Sequence, residues 1–162
     1  MKRWKDRPVE IRNLFNPAFC AVVLARAFKA FQQEDVRGMP FTLALLVLPL
    51  CLHEATREIL CENERSYFLK IVDSNPRLLV DLPQRVKAML PYTLEALGFL
   101  TNLDCVEVSR RGSLHLRPRK VSPDTRGTAE TTRCQQAAKI LGRQLARLGD
   151  RVTIYTSLGI RP

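Results

Sequence analysis

Gly38-Met-Pro-Phe-Thr-Leu-Ala-Leu-Leu-Val-Leu-Pro-Leu-Cys-Leu-His53 is the stretch on which the reading of the whole chain turns. It has no ionisable charge before His53 and one polar side chain, Thr42. Its neighbours on both sides are amphipathic and charged. A segment that is apolar all round belongs inside a protein core or inside a bilayer. A membrane-spanning helix needs roughly 20 apolar residues, and here Pro40 and Pro49 interrupt a shorter run. The stretch is therefore expected to form the inner layer of one compact core. Pro40 suits the first turn of a helix, and Pro49 should end or kink that helix near Leu48.

The rest of the composition agrees with such a core. A chain of 162 residues with 46% hydrophobic residues is large enough for a single soluble domain. Its net charge of +10 favours nucleic acid, an acidic protein face or an anionic surface, unless it serves solubility alone. The cysteines, Cys20, Cys51, Cys61, Cys105 and Cys134, are odd in number and form no CxxC pair. The first residues, Met-Lys-Arg-Trp-Lys-Asp-Arg, lack the apolar segment of a signal peptide. Buried free thiols in a reducing cytoplasm are expected.

Upstream of the apolar stretch lies a basic arm, residues 1–15, ending in Ile11, Leu14 and Phe15. Asn16-Pro17 marks a helix start, with Asn as the cap and Pro at the first helical position. That helix should run to about Gln33, buried in its first half through Phe19, Val22, Val23 and Leu24. Downstream, helices are expected over 53–60 and 63–74, the latter turning Tyr67, Phe68, Ile71 and Val72 inward. A further helix fits 79–90, with Leu82, Val86, Met89 and Leu90 inward, and another opens at Pro91 and ends near Asn102. Residues 105–109 and 113–117 both alternate apolar and polar around Arg110-Arg111-Gly112, which reads as a β-hairpin.

A polar loop, 118–128, leads to a last long helix. Its apolar stripe is Cys134, Ala138, Leu141, Leu145 and Leu148, and its opposite face carries Arg133, Gln136, Lys139, Arg143 and Arg147. Gly142 inside it either admits another backbone or merely weakens the helix. Gly149 and Asp150 end it and cap one more short helix, although Val152–Thr156 has strand propensity. The expected fold is mainly α with a small β-hairpin. One domain, 1–162, comprises the arm (1–15), a helical layer (16–90), a winged-helix-like helix and hairpin (91–120) and C-terminal helices (128–162). Helix then hairpin is the order of a winged-helix unit, and an unrelated helix–hairpin corner is the alternative.

No motif for chemistry stands out. There is no GxxxxGK[ST] loop and no GxSxG elbow. His53-Glu-Ala-Thr-Arg57 puts Arg where a zinc helix needs a second His, and the chain has two histidines in all. Cys51 beside His53 is a rival nucleophile pair, but a Cys within Leu-Cys-Leu reads first as a small core residue. Glu54, Glu58, Glu62 and Glu64 read as a solvated face. No enzyme, metal or cofactor is expected.

Base-specific DNA reading looks equally poor. The helix before the hairpin has no Arg or Lys from Pro91 to Asp104 and carries Glu95. Basic residues gather instead at and after the hairpin, as Arg110, Arg111, Arg117, Arg119 and Lys120. With Arg143 and Arg147 on the last helix, these are the candidates for contact with DNA phosphates or a partner protein. A simple solvated hairpin tip is the bland alternative.

Several segments together resemble a known family. They are Arg7-Pro-Val-Glu10, Leu14-Phe-Asn-Pro-Ala-Phe-Cys20, Gly38-Met-Pro-Phe41 through Leu48-Pro-Leu-Cys-Leu-His53, Pro91-Tyr-Thr-Leu-Glu-Ala96, and the tail from Leu141-Gly-Arg143 to Leu158-Gly-Ile-Arg-Pro162. Their order and spacing resemble the middle component of three-component ABC (ABC-3C) systems, related to Lamassu-like anti-phage defence. One departure is Gln144, where an aromatic is common. The resemblance implies a small adaptor beside an SMC- or Rad50-like ABC ATPase and an effector, often a nuclease. A stand-alone winged-helix DNA-binding regulator is the alternative function.

Overall fold

The computed structural model describes residues 6–122, 124–125 and 127–160. Residues 1–5 of the basic arm and Arg161-Pro162 of the tail lie outside the described residues. The chain runs α1 (Val9–Leu14), α2 (Pro17–Glu34), β1 (Met39–Pro40), α3 (Phe41–Cys51), α4 (Glu54–Glu62) and α5 (Phe68–Ser74). A 3₁₀ turn (Pro76–Leu79) precedes α6 (Leu82–Asn102), β2 (Val106–Val108), β3 (Ser113–Leu116), α7 (Ala129–Leu148) and α8 (Arg151–Ser157). The fold is mainly helical with a small antiparallel sheet.

The apolar stretch forms the inner layer. Leu43, Leu46, Leu48 and Leu50 of α3 are fully enclosed, at 0–2% exposure, by packing against α2, α6 and α7. Contrary to expectation, α3 continues through Pro49 to Cys51. The proline removes only the amide that would bond the Leu45 carbonyl, and the end of the helix is well supplied with donors. The Thr56 hydroxyl donates to the Leu50 carbonyl (2.7 Å), Arg57 to Leu52 (3.4 Å) and Arg85 to Pro49 (3.3 Å). Two guanidinium groups at a helix C-terminus also oppose its negative dipole end.

A second proline is absorbed in the same way. The separate helices expected over 79–90 and 91–102 are one 21-residue helix, α6, with Pro91 inside it. Lys87, whose carbonyl loses its partner, and Pro91 are both exposed residues, so the missing bond falls on the solvent side of the helix. Leu82, Met89, Thr93, Ala96, Leu97 and Leu100 are its buried side. Leu90, expected inward, is exposed instead. α5 starts five residues later than expected, at Phe68, and Tyr67 stands 77% exposed before it.

The hairpin is present and carries a third strand. β1 pairs with β3 through Met39↔Leu114 and Pro40↔Ser113, giving the order β1-β3-β2. The proline sits on an edge strand, where its missing N–H costs no ladder bond. Gly38 adopts φ +77°, and a Cβ there would lie 2.7 Å from the His115 ring, so the chain reaches β1 only because residue 38 is glycine. Gln32 of α2 completes the far end: its side-chain oxygen accepts the Leu116 amide at 2.8 Å.

The largest packing contact joins α2 to α7. Small residues line it: Ala21, Ala27 and Ala30 on α2, with Ala137, Ala138 and Gly142 on α7, all buried. A Cβ on Gly142 would press on the Ala27 carbonyl oxygen and lie 3.0 Å from its carbon and 3.1 Å from its Cα. Of the two readings of Gly142, close backbone approach is the correct one. Arg26, 4% exposed, reaches out of this seam to the polar loop, donating to the carbonyls of Ser122 (2.6 Å) and Asp124 (2.7 Å) and to Gln135 (3.1 Å). α8 is tied to α3 by the Tyr155 hydroxyl, which donates to the Thr42 carbonyl at 2.6 Å. The segment Val9–Glu34 is also long and apolar enough in composition to cross a membrane. In this fold α2, its main part, buries its apolar residues against α7, α6 and α3.

Two substitutions test this packing. Leu46→Asp places an unpaired carboxylate in an enclosed site, a cost of several kcal/mol against a domain stability on the order of 5–15 kcal/mol. It should abolish cooperative unfolding by circular dichroism, and a folded variant would show that the stretch is not core. Gly142→Ala gains about 1 kcal/mol of helix propensity but overpacks against backbone, which costs about 1–3 kcal/mol and cannot be relieved by a rotamer. The urea midpoint should fall, and a rise would show that α2 and α7 are not in backbone contact.

Candidate functional site

The turn joining β2 to β3 is built to hold two arginines in water. The Ser109 carbonyl accepts the Gly112 amide at 2.9 Å, and the Ser109 hydroxyl accepts the Ser113 amide at 3.0 Å. Gly112 takes φ +74°, as such a turn requires, and its carbonyl accepts the Phe41 amide at 2.9 Å. The turn is thereby fastened to the start of α3. Arg110 and Arg111 are exposed and form no ion pair with a described residue. Beside them lies a cavity of about 560 Å³. Its walls are the 35–40 segment, the hairpin turn, His115 and the α7–α8 junction at Gly149 and Arg151.

The other candidate cations sit differently. Arg117 pairs with Asp104 (3.4 Å) and Glu107 (3.8 Å), and Lys120 pairs with Asp104 (3.5 Å). Arg119 is exposed at φ +62°, without an ion pair to a described residue. On α7, Arg143 pairs with Glu64 (2.5 Å) and Arg147 with Glu34 (3.0 Å), while Arg133 pairs with Glu58 (2.7 Å). The three arginines of the basic face of α7 are therefore matched to acids of α2, α4 and the α4–α5 link, while Lys139 donates to the Thr125 hydroxyl at 3.2 Å. Glu58 and Glu64, read from sequence as a solvated face, are two of these partners. The Arg133 guanidinium holds the Glu58 carboxyl below the usual carboxylate range. Gln144, the departure from the family pattern, is buried and donates to the Glu64 carbonyl at 3.1 Å.

Sequence reading missed what covers α6. Arg7 donates from both terminal nitrogens to the two oxygens of Glu95, each at 2.8 Å. The pair is bidentate, the strongest arrangement available to these groups. Phe15 stacks on Tyr92, with ring centroids 4.4 Å apart, and Arg7 lies 5.9 Å from the same ring. The two ends of the α1 segment are thus anchored on α6, one turn apart. Glu95, which reads as unfavourable toward phosphates, is the anchor of this strap. The only signal available in the sequence was an Arg and an aromatic flanking a short amphipathic segment.

Cys51 and His53 are not joined by a hydrogen bond. Burial pushes the Cys51 thiol well above its ordinary value, and it pushes Cys20 up to about 12. His53 caps α4: its Nδ1 accepts the Thr56 amide at 3.4 Å. Burial, and then Arg85 and Arg57, lower its pKa, which keeps the ring neutral and able to accept. Among the described residues, no three of His, Cys, Asp or Glu come together in a way that could hold a metal ion.

No curated protein and no solved structure matches the chain. A family model does, over residues 4–162, which is nearly the whole chain. The chain therefore belongs to the family of the ABC-three component (ABC-3C) system Middle Component 3.

Proposed function

We propose that this protein is a non-catalytic adaptor that links an SMC- or Rad50-like ABC ATPase to an effector, such as a nuclease, in a Lamassu-like anti-phage or anti-plasmid defence complex. The observation that carries this reading is the family match over residues 4–162. A middle component of a multi-component system has protein partners. The surface fits that role. Exposed large apolar side chains gather on α1 (Val9, Leu14), on α6 (Leu90, Leu94, Phe99) and on its continuation into β2 (Leu103, Val108). These exposed apolar positions are where a partner protein would be met. The strap anchors fix α1 against the side of α6 that bears Tyr92 and Glu95.

The helix and hairpin of residues 91–120 are, on this proposal, winged-helix-like. The order β1-β3-β2 with α6 before the hairpin supports it. The face of α6 that bears Tyr92 and Glu95 is occupied by the strap. That weighs against a stand-alone base-reading regulator and in favour of an adaptor that touches DNA, where it does, through phosphates. A cytoplasmic setting goes with the five free cysteines, four of them buried.

Co-expression of the tagged chain with the ABC ATPase and effector encoded beside it should give a co-purifying complex. Leu94→Glu with Phe99→Glu, both on exposed positions, should leave the chain folded and weaken capture by about tenfold or more, the scale of one hot-spot contact. Absence of any complex with the wild-type chain would defeat the adaptor reading.

A further inference from the structure

The cavity beside the hairpin turn gathers charge that the fold does not use. Four arginines, Arg37, Arg110, Arg111 and Arg151, line it against one carboxylate, Asp35. Asp35 is committed to Arg37: the guanidinium donates to both its oxygens, at 2.8–3.1 Å, and holds the carboxyl below its ordinary range. The neighbouring acid, Asp150, accepts the amides of Val152 and Thr153 as the cap of α8. Arg110, Arg111 and Arg151 therefore stay without an ion pair among the described residues. This contrasts with Arg117, Lys120, Arg143 and Arg147, each of which is neutralised within the chain.

These cations come from two separate parts of the sequence, the hairpin turn and the start of α8, and the fold fixes their relation. The hairpin turn is bonded to the start of α3, and α8 is bonded to α3 through Tyr155 and Thr42. Gly38 lets the Arg37 segment pass directly against His115. A concave site of one sign focuses its field and draws in counter-ions of opposite sign. Arginine forks match the geometry of phosphate oxygens. Phe31 and Leu43 of the lining are each 2% exposed. These two side chains thus present little surface to a ligand, and the partly exposed aromatic ring of the lining is His115.

We propose that this cavity seats the sugar–phosphate backbone of DNA, independently of sequence, with Arg110, Arg111 and Arg151 as its phosphate contacts. This deepens the phosphate-contact part of the reading above and rests on it. It also moves the site away from Arg117, Lys120, Arg143 and Arg147. Three such contacts correspond to a slope of about −3 in log K against log salt.

The test is fluorescence anisotropy of the full chain with a labelled duplex and a single strand of mixed sequence, titrated at several salt concentrations. Arg110→Ala with Arg111→Ala should weaken binding about tenfold and flatten the slope by about 2, and Arg151→Ala should flatten it by about 1. A control with the same loss of charge as the double variant, Lys70→Ala with Lys87→Ala, uses exposed residues outside the cavity and should stay within about twofold. Equal weakening by control and cavity variants would overturn the site while leaving DNA contact in place. Absence of binding by the folded wild-type chain would overturn both. A polyglutamate peptide that competes as well as DNA of equal charge would assign the cavity to an acidic protein segment and overturn the proposal.

Discussion

The fold depends on one close approach, that of the α7 backbone at Gly142 to the α2 backbone at Ala27. Only hydrogen fits at position 142, so the two helices meet along a seam of alanines and glycine. Once that distance is set, α3 has a defined space to fill, and the enclosed leucines between Leu43 and Leu50 fill it. The same seam places Arg26 where it can hold the polar loop by two carbonyls. It also puts the α7 arginines opposite acids of α2 and α4, so that a row of ion pairs borders the seam. Such pairs are partly exposed and contribute little each. Their consequence is electrostatic: they remove most of the basic face of α7 from competition for external ligands.

What could be read from the sequence was whatever local chemistry decides. Asn16 caps α2 and Asp150 caps α8, as their side chains and positions require. Gly149 ends α7 in the left-handed conformation. The stripe from Cys134 to Leu145 is buried, and the alternation around Arg110-Arg111-Gly112 is a hairpin. The failures share one cause. Pro49 and Pro91 forbid a local hydrogen bond, but whether the helix stops depends on what else serves the orphaned ends. Thr56, Arg57 and Arg85 do so for α3, and in α6 the missing bond falls at exposed residues. β1 is two residues long, too short to show a period. It exists because Gly38 lets the chain lie against β3.

The candidate site was legible as a set of residue types and illegible as an arrangement. Seven basic residues stand out by charge alone, yet charge does not say which are already paired. The partners of Arg143 and Arg147 lie 79 and 113 positions away. Arg37 and Arg151 enter the cavity only through tertiary structure. The strap is the same lesson in reverse. Arg7 reads as one more cation of a basic arm, and in the fold it is 9% exposed and bound to Glu95. The account that emerges is of a scaffold: a sealed core, an α7 whose arginines are neutralised within the chain, and two outward surfaces, the exposed parts of α1 and α6 and the cationic cavity.

Hydrogen–deuterium exchange of the chain, alone and within the reconstituted assembly with the other components of its system, tests that account most directly. It predicts slowed exchange in α1, the exposed side of α6 and the 107–113 turn, with α3 equally protected in both states. An assembly that forms while leaving those segments unchanged, or that opens α3 to exchange, would contradict it.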